Sequence, residues 1–188
     1  MFKLRHTLIA LISTGLIHSA QAAEYTKIDT EASKIAFRYS QMNVKMDGKI
    51  SAFNIPSFSF DPQAPEKAVL QMEVPVSSVD AGYAEANTEL QKSEWLNAAA
   101  HPLASFKATE LKSTGDQNYE LQGELSIKGK AQAVSIPVKF EEKDSVGTFT
   151  GEFSFKRNDF ALGEGSWSDD SRACRYFCVN AIFFTTTG

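Results

Sequence analysis

The sequence has few of the residues that enzymes commonly use for metal binding or acid–base chemistry. It contains three histidines, and His6 and His18 lie close to its start, so that only His101 belongs to the remainder of the chain. No two histidines have the spacing of a zinc site, and no Gly-x-Ser-x-Gly nucleophile motif is present. We therefore predict no catalytic residues, no metal site and no enzymatic activity.

Long apolar runs are also scarce, apart from one near the N-terminus. Lys3 and Arg5 precede an apolar stretch from Leu8 to Ile17, and Ala20-Gln21-Ala22 follows it as a small-x-small sequence. This order is typical of a secretion signal, and the apolar stretch is too short to span a bilayer. We expect residues 1–22 to be a signal peptide cleaved after Ala22. Residues 23–188 would then form one domain in the periplasm.

Excess positive charge is absent as well. Loss of Lys3 and Arg5 would leave 17 basic residues (19 − 2) against 23 acidic ones, a net charge of −6. A protein that binds nucleic acid must neutralise phosphates with a basic surface. The charge therefore argues against a nucleic-acid partner.

Cysteine is limited to Cys174 and Cys178. In an oxidising compartment the two are candidates for a disulfide. If both lay on one strand, their Cα atoms would be about 13 Å apart, which is beyond disulfide reach. A local bridge therefore requires a turn over residues 175–177, and a bridge between two chains is the other arrangement. We expect the cysteines to be oxidised in one of these two ways.

Three consecutive segments from Tyr119 to Phe155 alternate between apolar and polar residues. Because successive side chains of a strand point to opposite faces, each segment predicts a strand with one apolar face. The connections are short and contain Gly129 and Gly147, which favours antiparallel hairpins. These three strands form the predicted centre of the fold.

Similar patterns extend to both sides of this centre. They predict strands over residues 25–29, 35–39, 49–60, 70–76, 104–108 and 176–186. The segment 49–60 changes its apolar parity twice, and Pro56 lies at the second change, which predicts a bulge. Residues 77–82 are predicted to be a loop. Residues 84–100 are rich in Ala, Glu, Leu and Lys and predict one or two short helices that end before Pro102.

Eight or nine strands linked mostly by hairpins, with one helical insert, predict an all-β fold, an eight-stranded antiparallel barrel closed on itself. A barrel of this size can hold one small ligand. The same apolar residues could instead simply fill its core. The residues alone leave both readings open.

The chain resembles the YceI family of secreted, lipocalin-like barrels. Seven stretches carry the resemblance: Tyr25 with Ile28-Asp29, Phe58-Ser59-Phe60-Asp61-Pro62, Ser77-Ser78-Val79-Asp80, Leu90 with Ser93-Glu94-Trp95-Leu96, His101-Pro102, Gly123-Glu124-Leu125-Ser126-Ile127-Lys128-Gly129, and Arg157-Asn158-Asp159-Phe160-Ala161-Leu162-Gly163. The resemblance runs from Glu24 to about Asp170. It departs from the family at Ser40-Gln41-Met42, where many relatives have a histidine, and at residues 171–178.

The resemblance implies a binding and transport protein whose apolar interior holds a long isoprenoid chain, with a quinone or polyprenyl head group and no covalent cofactor. It also implies a cytochrome b561-like membrane protein as a partner. The sequence leaves a homodimer open.

The inward-facing strand positions, together with Phe53 and Trp95, form the predicted set of ligand-binding residues. Trp95 would either cap the barrel mouth or dock the helical insert, and docking is the favoured role. The predicted residues are Phe37, Tyr39, Phe53, Met72, Val74, Trp95, Phe106, Leu121, Leu125, Val134, Ile136, Phe153 and Phe155.

Two other classes of protein fit parts of the pattern. An outer-membrane barrel would turn the apolar face outward to lipid, but the helical insert and Pro56 argue against it. A lipocalin-like enzyme would use the barrel as a reaction chamber, but no convergent acid–base group supports it. For a bound isoprenoid we expect a neutral head group, because the basic residues are scattered and the chain is net acidic.

Overall fold

The computed structural model describes residues 24–41, 44–165 and 176–187, with the side chains of residue 41 and of most of the last segment left out. This part of the chain holds ten strands and one α-helix. In chain order they are β1 (Lys27–Gln41), β2 (Val44–Ile50), β3 (Asn54–Ser59), β4 (Val69–Pro75), β5 (Val79–Asp80), α1 (Ala84–Leu90), β6 (Leu103–Gly115), β7 (Asn118–Ile127), β8 (Lys130–Lys143), β9 (Val146–Lys156) and β10 (Tyr176–Thr187). Short 3₁₀ turns cover Pro65–Lys67, Val76–Ser78 and Arg157–Phe160.

All ten strands belong to one antiparallel sheet with the order β3-β4-β6-β7-β8-β9-β10-β1-β2-β5. The sheet curls so that Tyr25, just before β1, forms a bridge with Phe60, just after β3. Each of these two residues donates its N–H to the other's carbonyl at 2.8 Å. The eight strands from β3 to β1 therefore form the predicted antiparallel barrel, and β2 and β5 extend the sheet beyond it.

The central hairpins follow from local turn chemistry. Strands β7 and β8 pair up to Ile127 and Lys130, so Lys128 and Gly129 alone make the turn. Both have positive φ, 51° and 71°. This is the conformation of a type I′ turn, whose twist matches that of the flanking strands. The expected hairpins and strand parity of the centre are confirmed. Gly147, however, does not lie in the second connection: it pairs with Glu142 as part of β9, and Asp144 and Ser145, with φ of 53° and 63°, make that turn.

Four details of the strand prediction are wrong. Residues 25–29 and 35–39 are not two strands but one strand, β1, whose register shifts between Asp29 and Lys34. There Asp29 Oδ1 accepts hydrogen bonds from the N–H groups of Glu31 and Ala32, both at 3.0 Å. A carboxylate that bonds the backbone ahead of it replaces ladder bonds locally. This irregularity conceals the continuity of the strand in the sequence pattern.

The segment 49–60 is divided between β2 and β3 rather than forming one strand. The predicted bulge is present, since the pairing of β3 with β4 shifts between Asn54 and Ser57, around Pro56. Val79–Asp80, expected in a loop, forms the short strand β5 on β2. Val44 to Gly48, left without an assignment, belong to β2.

The insert contains one α-helix, α1, followed by turns up to Pro102. The helix ends at Leu90, and Asn97, with a φ of 51°, belongs to the turns that follow it. Among the described residues, no helix is long and apolar enough to cross a membrane. Residues 1–23 and Cys174 lie outside the described residues, and Cys178 is described by its backbone alone. The signal peptide, the domain bounds and the disulfide stay predictions.

One end of the barrel is filled by an aromatic cluster. Phe60 is 1 % exposed and lies at its centre. Its ring centroid is 4.9 Å from those of Phe140 and Phe149 and 5.6 Å from that of Tyr119. Tyr25 packs on the same ring. Edge-to-face contacts of this kind add to the burial energy of the rings. This end of the barrel is therefore closed by solid packing.

Candidate functional site: an apolar cavity under the helical insert

A cavity of about 140 Å³ occupies the part of the barrel that lies away from the aromatic cluster. Its walls are built by the inward faces of the strands, by the helical insert and by the loop after β9. Every residue that lines it is apolar: Ile35, Phe37, Ile50, Met72, Val74, Val76, Val79, Leu90, Trp95, Leu96, Ala104, Leu125, Ile127, Phe153, Phe155 and Leu162. A cavity of this kind accepts an apolar ligand and offers no hydrogen bond to a polar one.

A second, smaller cavity of about 50 Å³ lies nearer to the aromatic cluster. Ile28, Leu70, Ala108 and Gly151 are among its walls. Both cavities lie inside the same barrel, and some strands supply inward residues to each of them. Along β9, for example, Gly151 lines the smaller cavity and Phe153 the larger one.

The structure brings nine of the thirteen predicted ligand-binding residues to these cavities. Seven line the larger one: Phe37, Met72, Val74, Trp95, Leu125, Phe153 and Phe155. Leu121 and Ile136 line the smaller one. A role in ligand binding stays a prediction for each of them.

The other four predicted residues lie outside the two cavity linings. Phe53 packs in a buried cluster with Ile28, Ile35 and Val74. Phe106 and Val134 belong to the packing around Leu125 and Ile136. Tyr39 donates its hydroxyl to the carbonyl of Ala81 at 2.9 Å. They are part of the barrel wall or its rim.

Some residues of the larger cavity were not in the predicted set. Ile35 and Ile127 continue the alternation of β1 and β7, so the strand pattern contained the signal for them. Leu90 and Leu96 are apolar anchors of the insert, but nothing in their spacing shows that they face the barrel. Leu162 follows a 3₁₀ turn and carries no periodic signal. Its position depends on how the late loop folds back.

That late loop holds the insert against the barrel. Gly163 N and Glu164 N both donate to the carbonyl of Glu94, at 2.8 and 3.0 Å. Arg157, only 4 % exposed, donates its Nη1 to the carbonyls of Leu162 and Gly163 at 3.1 and 2.9 Å. Its guanidinium also lies 5.8 Å from the centre of the Trp95 ring. Trp95 therefore contacts the late loop and also lines the larger cavity, and its role as a cap or as a docking residue stays a prediction.

A second cation supports the same loop. Lys128 Nζ donates to the carbonyl of Ala161 and to the carboxylate of Glu164, both at 2.8 Å. The Lys128 side chain is 8 % exposed. Its hydrogen bond and charge hold the pKa of Glu164 below the usual range. Since Lys128 belongs to the β7–β8 turn, this contact ties the late loop to the centre of the sheet.

Polar groups gather at the rim, where the inner face of β1 ends. Tyr39 lies next to Phe37, with ring centroids 6.1 Å apart. Burial, and then Tyr83, raise the pKa of Tyr39 to about 12. Asn87 donates to Asp80 and accepts from the N–H of Ala81, which fixes the loop before α1. Hydrogen bonds from Asn87 and from Gly82 N lower the pKa of Asp80.

Two basic residues near this rim lie close to carboxylates. Arg38 Nε pairs with Asp47 at 2.9 Å, and Lys49 lies 3.9 Å from Asp80. In the described ranges, no three His, Cys, Asp or Glu side chains are grouped so that they could hold a metal ion. His101 packs against Gly129 in the β7–β8 turn. The larger cavity is thus an apolar space with polar and charged side chains at its rim.

Comparison with protein families gives a match over most of the chain. The model of the YceI-like domain matches residues 26–173. A UPF0312 protein of Azotobacter vinelandii is 33 % identical over 171 residues, which cover 85 % of this chain and 88 % of the relative. A UPF0312 protein of Pectobacterium atrosepticum is 31 % identical with the same coverage.

Solved structures show the same fold. BcnA of Burkholderia cenocepacia superposes with a TM-score of 0.81 at 30 % identity, covering 86 % of this chain and all of BcnA. A polyisoprenoid-binding domain of Saccharophagus degradans has a TM-score of 0.65 at 15 % identity, covering 87 % of this chain and 98 % of that domain. The YceI protein of Campylobacter jejuni gives 0.62 at 15 % identity, covering 100 % of this chain and 92 % of that protein.

Proposed function

The chain belongs to the YceI-like domain family, and from this membership and its apolar cavity we propose that it is a periplasmic binding protein for an isoprenoid chain. The larger cavity is the observation that carries the proposal, because all sixteen residues that line it are apolar. The Saccharophagus degradans domain with the same fold is a polyisoprenoid-binding domain, which supports an isoprenoid as the class of ligand.

Burial provides the binding energy. Each CH₂ group transferred from water to an apolar site contributes roughly 0.8 kcal/mol. An isoprenoid tail therefore gains affinity with every unit that enters the barrel, and it needs no polar partner inside. The flexible side chain of Met72 suits a branched chain of irregular shape.

The outward faces of the strands support a protein surrounded by water. Lys107, Glu124, Lys139 and Glu152 are exposed positions on β6, β7, β8 and β9. A barrel embedded in lipid would present apolar side chains at such positions. The polarity of the wall thus favours a ligand inside the barrel over lipid outside it.

The head group in this proposal is neutral, of the quinone type. A pyrophosphate needs several donors and positive charge that are not already engaged. Arg157 and Lys128, which hold the late loop beside the cavity, bind backbone carbonyls and Glu164. A neutral head requires only one or two hydrogen bonds, which groups near Tyr39 could supply. A quinone-linked membrane protein of the cytochrome b561 type would then be a fitting partner.

Native mass spectrometry of the protein purified from its own periplasm tests the ligand class. We expect a non-covalent adduct with the mass of an isoprenoid lipid, which is lost from Leu125→Asp and kept in Glu124→Ala. Absence of any lipid adduct, together with no binding of added isoprenoids, would refute the proposed function. Release of the protein with the periplasmic fraction tests the location.

Salt dependence separates the two head groups. Binding of a neutral quinone involves little Coulomb attraction, so its Kd should change by less than about twofold between low and high salt. A polyprenyl pyrophosphate should bind more weakly than the quinone of equal tail length. A preference for the pyrophosphate that disappears at high salt would show that the head group is anionic.

A further inference from the structure

The barrel wall contains a seam, formed by residues 26–30 on one side and residues 55–58 on the other. It lies where β3, at one end of the sheet order, meets β1. Among the described residues, the bridge of Tyr25 with Phe60 is the only backbone pairing that joins these two sides, next to the aromatic cluster. By contrast, every residue of β7 pairs with β8. The seam is therefore the least hydrogen-bonded part of the described barrel wall.

Both sides of the seam carry an irregularity that disfavours regular pairing. On β1, the Asp29 side chain accepts hydrogen bonds from the N–H groups of Glu31 and Ala32, and the register with β10 shifts after Asp29. On β3, Pro56 has no N–H to donate, and it lies where the register with β4 shifts. Bulges and proline commonly keep the edges of sheets from pairing. The residues of both strands thus act against a ladder across the seam.

A groove of about 420 Å³ follows the outside of the seam. Exposed residues line it from both sides, among them Thr26, Thr30 and Pro56. Ile28 and Phe58 line this groove as well, and the same two side chains line the smaller cavity inside the barrel. Ile28 and Phe58 therefore border both the outer groove and the inner cavity, and a movement of their side chains would connect the two spaces.

The ends of the barrel offer no equally direct path to the interior. The aromatic cluster fills one end, and at the other the N–H groups of Gly163 and Glu164 bind the carbonyl of Glu94 in the insert. The smaller cavity, in turn, lies next to the larger one. On β4 the consecutive inward residues Leu70 and Met72 line the smaller and the larger cavity, respectively. A chain that passes the seam would therefore reach the proposed binding site.

We propose that an isoprenoid chain enters and leaves the barrel sideways, through the seam between β1 and β3. This inference rests on the proposed function. The side chains of Ile28 and Phe58 form the gate, and an apolar chain passes between the two strands without breaking a ladder. A gate changes the rates of association and dissociation by the same factor, because it alters the barrier and leaves the bound state unchanged.

A reversible cross-link over the groove tests the proposal on the purified full chain. Lys27 and Ser57 line the groove from opposite sides, and both are changed to Cys in a chain whose Cys174 and Cys178 are changed to Ser. A short, reducible bifunctional thiol reagent then joins them. Binding of geranylgeraniol is followed by tryptophan fluorescence, because Trp95 lines the larger cavity. The link should slow association and dissociation each by about tenfold or more and change Kd by less than about twofold, and reduction should restore both rates.

A link between the insert and the late loop is the matched control. A Cβ atom on Gly165 would lie 3.5 Å from Cγ of Glu94, so cysteines at these two positions can be joined by the same reagent. This link should leave both rates within about twofold of those of the reduced variant. If the link over the seam slows exchange no more than the link at the insert does, the seam is not the route of the ligand.

A pair of alanine variants tests the gate without any cross-link. Phe58→Ala should raise both the association and the dissociation rate, because it removes one of the two side chains that border the groove and the cavity. Leu121→Ala changes the same cavity on β7, away from the seam, and should act on the dissociation rate alone. Equal behaviour of the two variants would overturn the gate while leaving isoprenoid binding intact. Failure of the wild type to bind geranylgeraniol or any other isoprenoid would overturn the proposed function as well.

Discussion

Leu125 offers a sharp test of the direction in which the apolar face points. It is 8 % exposed, and its side chain borders the larger cavity, whereas its neighbour Glu124 is exposed on the other face of β7. Leu→Ala substitutions in cores cost about 2–5 kcal/mol. Because the cavity already leaves one side of Leu125 without contacts, Leu125→Ala should fall near the lower end, at about 2–3 kcal/mol.

Leu125→Asp should cost more, and its cost should depend on pH. No polar side chain lines the cavity, so the buried carboxyl would keep its proton to a high pH. Its pKa in the folded state then lies well above the value of about 3.9 in the unfolded chain. A raised folded pKa means that stability is greatest below pH 4 and falls as pH rises toward the folded pKa. Each pH unit in that window costs up to about 1.4 kcal/mol.

Between pH 4 and pH 7 the added loss therefore reaches about 4 kcal/mol. Together with the packing loss, this approaches the total stability of a typical domain, about 5–15 kcal/mol. Asn has a shape similar to that of Asp and does not titrate. The difference in stability between Leu125→Asp and Leu125→Asn therefore measures the loss that is due to the charge of the carboxyl. Glu124→Ala should change stability by less than about 0.5 kcal/mol.

Urea denaturation of the four variants across this pH range measures these differences. The gap between Leu125→Asp and Leu125→Asn should widen as pH rises. If the gap stays constant, or if Leu125→Asp is as stable as Glu124→Ala, the side chain at 125 is in water. The register of β7 would then be displaced by one residue, which exchanges the two faces of the strand.

Three further predictions concern other parts of the barrel. Phe60→Ala should lower the free energy of unfolding, measured by urea denaturation, by about 3–5 kcal/mol, since the ring is fully buried among four aromatic rings. Phe60→Leu should lower it clearly less, and equal losses would mean that the cluster adds no specific packing. Gly163→Ala should be more destabilising than Gly115→Ala. Both glycines have positive φ, but only at Gly163 would an added Cβ overlap the Arg157 side chain. Equal losses of stability in the two variants would contradict the tight packing of the loop around that guanidinium. The pKa of Tyr39 is raised to about 12 from an ordinary 10, so its contribution to stability should be lost as pH rises from 10 to 12. The free energy of unfolding of Tyr39→Phe should therefore fall less steeply over this pH range than that of the wild type. Equal slopes in the two proteins would show that the Tyr39 hydroxyl is not buried against the carbonyl of Ala81.

Local periodicity determined most of the architecture. The alternation in β7, β8 and β9 depends only on each strand having one buried face, so it is visible without any knowledge of neighbours. The turn at Lys128-Gly129 and the bulge at Pro56 follow from backbone chemistry of single residues. The family motifs added the lipocalin-like closure of the barrel. Of the nine predicted residues that border the cavities, eight lie on strands and were predictable from this alternation, whereas Trp95 lies on the insert and was not.

Tertiary structure alone decided where the empty space lies. Whether an inward residue borders a cavity or fills it depends on what stands at the same level on the neighbouring strands. Phe106 and Leu125 have the same parity, yet Phe106 packs over Gly123 while Leu125 faces the larger cavity. The sequence of β6 does not contain that information, because Gly123 lies on another strand.

The position of the late loop against the cavity could not be predicted from the strand pattern either. Leu162 reaches the cavity because the late loop bonds to Glu94 and because Arg157 is buried within that loop. The segments involved are more than sixty residues apart in the chain. Strand periodicity reports which face is buried, and only the folded chain shows which residues meet across the interior.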